Sequence, residues 1–292
     1  KREAFIYKTG LYIKCNRMDK CAYTMSLWDY IQQKHGLTNQ ETLEELAKLA
    51  HYSLPELEGY SHESAEKARK KANILEAALE FFKAELWAEG GKETLEYLLQ
   101  KRRYQSEEIK EMELGFNPGE KATHSFLTHK GYALEEIKDN LKYLPWREDY
   151  KLVIPWRDPV GRLKSLWGRL VRKLKEGEKE SDKYKPMTEA EKGTLFHLHT
   201  AIGQKEIRLV EGFLDALIAN VRGVKGVVAL GGDHLSQDQI ENVRRYGSIK
   251  QITLCLDGDE AGQKGVEQNL SLLSREGITT FVAELPAGYD PD

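Results

Sequence analysis

The chain has 292 residues, of which 40% are hydrophobic and 31% charged, with a formal net charge of −3. That length gives material for two or three domains with real cores, and the near-neutral balance argues against a strongly basic nucleic-acid binder. No apolar run approaches the roughly 18–20 residues of a membrane span and no signal peptide is visible, while the three cysteines, Cys15, Cys21 and Cys255, make no disulfide framework and suit a reducing cytoplasm.

The chain begins with Lys1 and stops directly after an acidic motif, so it reads as a piece of something longer. Ala4-Phe5-Ile6-Tyr7 and Leu11-Tyr12-Ile13 are short strand patterns joined by a Thr9-Gly10 hairpin signal. Cys15 and Cys21 follow, and two thiolates beside a hairpin are either half of a zinc site or two unliganded cysteines. Thr38 and Glu41 form a capping box ahead of Leu43, Leu46, Ala47 and Ala50 on one helical face. Residues 51–73 are polar and charged and read as a linker. Leu75, Leu79, Phe82, Leu86, Leu95, Leu98 and Leu99 suit two helices broken at Gly90-Gly91. Further helices are expected from Ser106 and around Leu134–Leu141.

At residue 151 the pattern turns to β. Leu152–Trp156 and Leu163–Val171 are strands around an Asp158-Pro159-Val160-Gly161 turn, and Lys173–Lys185 reads as a charged, mobile loop. Lys142 to Lys185 holds thirteen Lys and Arg against seven Asp and Glu, a local positive excess inside an acidic chain. From Ile207 strands and helices alternate, at Ile207–Val210, Asp215–Val221, Val227–Leu230, Gln239–Tyr246, Ile252–Leu256, Gly262–Ser274 and Thr279–Ala283. That alternation implies a parallel-rich sheet with helices on its faces.

Acids stand at the strand tips. Glu211 follows one apolar run, Asp257-Gly258-Asp259 a second and Asp290-Pro291-Asp292 a third. Open α/β sheets place ligands at the carboxyl edge, and like charges gathered there repel unless a cation sits among them. Oxygen-only ligands without His or Cys select Mg²⁺ or Mn²⁺ over zinc, and such ions bridge phosphate oxygens. Asp215 lies about one helical turn beyond Glu211. Taken singly, each acid is as well explained as a polar loop residue or a helix cap; three motifs in order are harder to dismiss.

Glu211-Gly212, Asp257-Gly258-Asp259 and Asp290-Pro291-Asp292, with Val228-Ala229-Leu230-Gly231-Gly232 between, resemble the TOPRIM domain of bacterial primases, topoisomerases and some nucleases. The longer context is similar to the DnaG-type primases. Leu95–Arg102 and Leu114-Gly115-Phe116 resemble the helical start of the primase core. Val153–Arg157 with Gly161-Arg162, Trp167-Gly168-Arg169 and Lys183-Tyr184 resemble its basic subdomain, and the N-terminal segment resembles the second half of a zinc ribbon. There are departures: Cys15 and Cys21 are further apart than the family's paired cysteines, and Lys185-Pro186-Met187-Thr188 replaces the usual residues after Lys-Tyr.

The resemblance implies an α/β fold: a TOPRIM-type sheet flanked by helices, preceded by a mixed α+β basic subdomain and a small zinc-ribbon-like piece. The expected domains are 1–50 (ribbon-like piece with its helix), 51–73 (linker), 74–200 (helical and basic subdomain) and 201–292 (TOPRIM). The implied activity is nucleotidyl transfer that makes short RNA primers on single-stranded DNA from nucleoside triphosphates. Glu211, Asp257 and Asp259 would be catalytic and, with Asp290 and Asp292, would hold Mg²⁺ or Mn²⁺; Asp215 would support them. Arg157, Arg162, Arg169 and Lys183 would hold nucleotide and template, and Cys15 and Cys21 would be zinc ligands. A replicative helicase is an implied partner through regions outside this chain. Another TOPRIM enzyme, a nuclease or topoisomerase, and a non-catalytic nucleic-acid-binding adaptor are the alternatives. Trp156 and Trp167 serve either to stack on bases or to pack the subdomain, and His197 and His199 are read as structural.

Overall fold

The computed structural model describes residues 4–6, 12–15, 24–50, 62–189, 193–232, 234–246, 249–258 and 260–283. Two compact units divide the chain, residues 1–72 and 73–292.

In the first unit, β1 (Ala4–Ile6), β2 (Tyr12–Cys15) and β3 (Thr24–Ser26) form an antiparallel sheet in that order, with Ala4 opposite Cys15. Ser26 then caps α1 (Leu27–His35), accepting from the Asp29 N–H at 3.0 Å, and Gly36 closes it at φ 62°, where a Cβ would be strained. Helix α2 (Asn39–Leu49) opens on the expected capping box: Thr38 N–H donates to Glu41 Oε2 at 2.7 Å and Glu41 N–H to Thr38 Oγ1 at 3.2 Å. Cys15 ends β2; Cys21 lies outside the described residues.

Helix α3 (His62–Leu86) starts well before the apolar run that announces it, taking in residues 62–73 that composition assigns to a linker. Its charged stretch carries no apolar stripe, so periodicity is silent there although Ala, Glu, Lys and Arg are all good helix formers. From Ile74 on it is the buried spine of the second unit, with Ile74, Leu75, Ala78, Leu79, Phe82 and Leu86 fully buried. The break at Gly90-Gly91 is real: a Cβ on Gly91 would lie 2.4 Å from the Glu85 carbonyl oxygen. Helices α4 (Lys92–Glu96) and α5 (Ser106–Glu111) follow, α4 running on as a π-helical turn over Tyr97–Lys101. Then come β4 (Gly115–Phe116), α6 (Glu120–His129) and α7 (Leu134–Asn140).

Strands β5 (Leu152–Arg157), β6 (Leu163–Arg169) and β7 (Tyr184–Pro186) complete an antiparallel sheet in the order β4-β5-β6-β7. The β5–β6 turn is the expected one: Asp158 Oδ1 accepts from the Val160 and Arg162 N–H groups, and Gly161 takes φ 87°. The stretch 173–185 is more ordered than its charge suggests, because Tyr184–Pro186 pairs with Trp167–Arg169. Leu152, Ile154, Trp156 and Trp167 face one core; Val153 and Leu166 face another, shared with α3. A register shift at Trp156/Arg157 brings Leu163 onto the α3 side.

The last part is a fully parallel sheet, β8 (Glu206–Val210), β9 (Val227–Ala229), β10 (Gln251–Leu254) and β11 (Thr279–Val282), in the order β11-β10-β8-β9. Helices α8 (Phe213–Val221), α9 (Gln237–Tyr246) and α10 (Glu260–Arg275) are its crossovers. Val227 and Ala229 join the core of α8, whereas Val228, Ile252 and Leu254 join that of Ile240, Val243 and Leu273 on α9 and α10. Among the described residues no helix is long and apolar enough to cross a membrane.

Candidate active site

The strand order dictates where a ligand can sit. From β8 the chain steps out to β9 on one side, then returns to β10 on the other. The connections leave β8 and β10 in opposite directions, so the carboxyl ends of these two neighbours open a crevice, the topological switch point of an open α/β sheet. Glu211 is the first residue after β8 and Asp257 the third after β10.

The backbone ladder runs past the strand ends toward them. Cys255 N–H donates to Leu209 O at 2.8 Å, and Asp257 N–H then donates to Glu211 Oε1 at 3.2 Å. The Glu211 carboxylate and the Asp257 backbone, 46 positions apart in sequence, thus meet at one rim. Two glycines set this geometry. A Cβ on Gly212 would lie 2.2 Å from Asp215 Oδ2, so the glycine leaves room for the Asp215 carboxylate to fold back over the start of α8, where a negative charge is favoured by the helix dipole. A Cβ on Gly262, in the first turn of α10, would lie 2.1 Å from the Asp257 carbonyl oxygen, so α10 closes directly on the Asp257 backbone. Asp259, Asp290 and Asp292 lie outside the described residues. Among the described residues no group of three or more His, Cys, Asp or Glu is assembled around a metal position. Glu211 and Asp257 are both carboxylate residues at this rim, and hard oxygen donors of that kind suit Mg²⁺ or Mn²⁺.

Behind the rim stands an aromatic cluster centred on Phe213, two residues after Glu211. The rings of Phe196, Tyr184, Trp156 and Trp167 lie 4.6, 5.0, 5.3 and 5.4 Å from it. Trp156 and Trp167 are buried, which settles their role as packing. A Cβ on Gly231, at φ 63°, would meet the Phe213 ring at 2.7 Å, so the Gly231-Gly232 turn rests on the same cluster.

The four basic residues expected to hold nucleotide or template have these surroundings. Arg157 forks onto Glu113, both bonds at 2.9 Å, and reaches Glu76 at 2.8 Å. Burial works against its charge, but the Glu76 bond and the Glu113 carboxylate outweigh it. Arg162 Nε donates to buried Asp158 at 2.9 Å and closes the β5–β6 turn. Arg169 is 6% exposed, its guanidinium 5.3 Å from the ring centres of both Tyr97 and Tyr184; it donates to both hydroxyls and to Leu170 O. Lys183 pairs with Glu180. Sequence reading missed Glu76, Glu113 and Tyr97, because a clasp formed across tens of residues leaves no local spacing to read.

The comparisons agree with this geometry. A Toprim-like family model matches residues 208–292. The DNA primase of Staphylococcus epidermidis is 31% identical over 220 residues, covering 69% of this chain and 35% of that protein. The crystal structure of the Aquifex aeolicus primase zinc-binding and RNA polymerase domains superposes with a TM-score of 0.63 at 25% identity, over 99% of this chain and 70% of that one. In sequence and in fold, the chain is of the DnaG primase type. The DNA primase of Listeria innocua, 28% identical, is matched over 93% of this chain and 46% of its own length, so the chain spans about half or less of these curated relatives. The shared region of this DnaG-type chain takes in both the β4–β7 sheet and the acid-bearing parallel sheet, in the order the sequence implies.

Proposed function

We propose that the chain is the catalytic part of a primase, joining nucleoside triphosphates into short RNA primers on single-stranded DNA. The single observation that carries this reading is the meeting of Glu211 and Asp257 at the switch point, held by the Asp257 N–H bond to Glu211 Oε1. Glu211 and Asp257 would hold Mg²⁺ or Mn²⁺, joined by Asp259 and by Asp290 and Asp292 beyond the neighbouring strand β11. The bound ion would neutralise charge on the phosphate oxygens of the reacting triphosphate. The chain's own groups orient it: Glu211 is fixed by its bond to the Asp257 backbone, Asp215 covers the start of α8, and the Phe213 cluster keeps that helix start dry and immobile. The positive stretch 142–185 supplies attraction for template and triphosphate.

Asp257→Ala tests the reading. With template, nucleotides and Mn²⁺, dinucleotide synthesis should fall by at least about a thousandfold, in line with losing a group that acts on transition-state charge. The thermal midpoint should hold, because the bond that joins the two strand tips uses the Asp257 backbone N–H, which alanine keeps. Synthesis retained by this variant would overturn the metal role and the polymerase assignment with it.

A further inference from the structure

The most exposed large apolar side chain among the described residues is Trp146, at 68% of its surface. It sits on a 3-10 turn, Leu144–Trp146, just before the β5–β6 hairpin. The turn is fixed from several sides. Leu144 is fully buried beneath it, Tyr143 N–H donates to Met187 O at 3.0 Å, and Trp146 N–H donates back to Tyr143 O at 3.1 Å. Arg147 Nε donates to Pro186 O at 3.1 Å and its Nη1 to Trp146 O at 3.0 Å. Its guanidinium lies 5.9 Å from the ring centre of Tyr143 and 5.7 Å from that of Tyr150. The Trp146 backbone is therefore rigid while its indole faces solvent, and among the described residues no ring contact involves that indole.

Arg147 follows Trp146 directly, and of the two acids that come next Asp149 is paired with Arg172 at 3.3 Å. Both of these Arg147 hydrogen bonds go to carbonyl oxygens, which leave its charge uncancelled, whereas Lys142, 5.7 Å from the Tyr143 ring centre, pairs with Glu189 on the open surface. A rigid exposed indole followed directly by an arginine matches one partner chemistry well: an unpaired nucleobase stacked on the ring with a phosphate held by the guanidinium. Trp87, the other half-exposed tryptophan, differs because Lys110 already covers its ring at 5.2 Å. The turn is also braced on β7, whose Tyr184, two residues before Pro186, packs on Phe213 beside the acid rim. Strand rise puts those two backbone positions only about 7 Å apart.

The geometry points to Trp146 as a base-stacking platform for single-stranded nucleic acid, with Arg147 beside it. This rests on the primase reading for the source of the strand, but not on its chemistry. The test is the affinity of the 292-residue chain for a labelled single-stranded oligothymidylate at fixed salt, by anisotropy. Trp146→Ala should weaken binding about tenfold, and Trp146→Phe should restore most of it, since any flat ring stacks. The salt slope should not change, because no phosphate contact is removed. Equal affinity in wild type and Trp146→Ala overturns the inference; this is also the outcome if the indole serves a protein partner instead. Primer synthesis by the wild type, assayed alongside, separates the two claims. Synthesis with unchanged Trp146→Ala binding sinks the platform alone, and weakened binding without synthesis sinks the polymerase reading alone.

Discussion

Two histidines show how burial sets chemistry at single residues. The His197 and His199 rings meet edge to face at 4.8 Å, and His197 takes a left-handed φ of 66° to begin the short turn that holds both. Asn220 Nδ2 lies 3.1 Å from His197 Nδ1, and His199 Nδ1 is buried with no hydrogen-bond partner among the described residues. Burial, then the neighbouring ring, pushes His197 down to about 3; burial, then the charge of Arg157, pushes His199 down to about 4. Both are neutral in the fold and titrate near 6.5 when unfolded. The unfolded chain therefore binds more protons between those values, and stability, full above about pH 6.5, falls as pH drops toward 4. The loss at pH 5 should be roughly 1–2 kcal/mol per histidine. Urea midpoints at pH 7.5 and 5.0 measure it. His199→Gln should shrink the difference between the two, and an undiminished difference would mean that this ring titrates normally. The carboxylates held low, Glu108, Glu178 and Asp182, act only further down the pH scale.

At the level of elements, the β4–β7 sheet is a wall with a core on each face, and Arg169 ties three elements across one of them. Its partners are Tyr97 from the π-helical turn after α4 and Tyr184 from β7, and the Tyr184 ring in turn packs on Phe213 at the start of α8. A lysine presents one point charge and cannot reach two hydroxyls and the Leu170 carbonyl together. Arg169→Lys and Arg169→Met should therefore both lose about 2–4 kcal/mol in urea unfolding. Had Arg169 instead served as a phosphate ligand, the lysine variant would keep its stability and lose only template affinity, so the pair of measurements decides between these roles.

For the molecule as a whole, the positive excess between Lys142 and Lys185 overstates the charge open to a template. Lys142, Arg157, Arg162, Arg172, Lys183 and Lys185 are paired with carboxylates of this chain, and Arg169 is buried. Exposed cations such as Lys164, Lys173, Lys175 and Lys179 are left. Each phosphate neutralised on a single strand contributes about −0.7 to the slope of log K against log salt. We expect a slope of about −2 to −4, not the roughly −9 that thirteen contacts would give. A slope near zero would remove this region as the nucleic-acid surface, and one near −9 would mean that its internal ion pairs open on binding.

Alternation of apolar runs with capped helical stretches was enough to foresee a parallel sheet with helices on its faces, because the period of two and the period of 3.6 are local properties. The capping pair Thr38–Glu41 is readable for the same reason, and it forms reciprocally. Acids at the ends of apolar runs pointed to the rim, and Asp257 does reach Glu211. Only the folded chain could decide the strand order that brings them together, the glycine contacts that press α10 onto Asp257, and which arginines are bound internally. Those depend on residues tens of positions apart, and no spacing along a chain records a contact made across it. Exposure is the other such quantity: Trp156, Trp167 and Trp146 are the same residue type in the sequence, and packing alone buries the first two and leaves the third facing water.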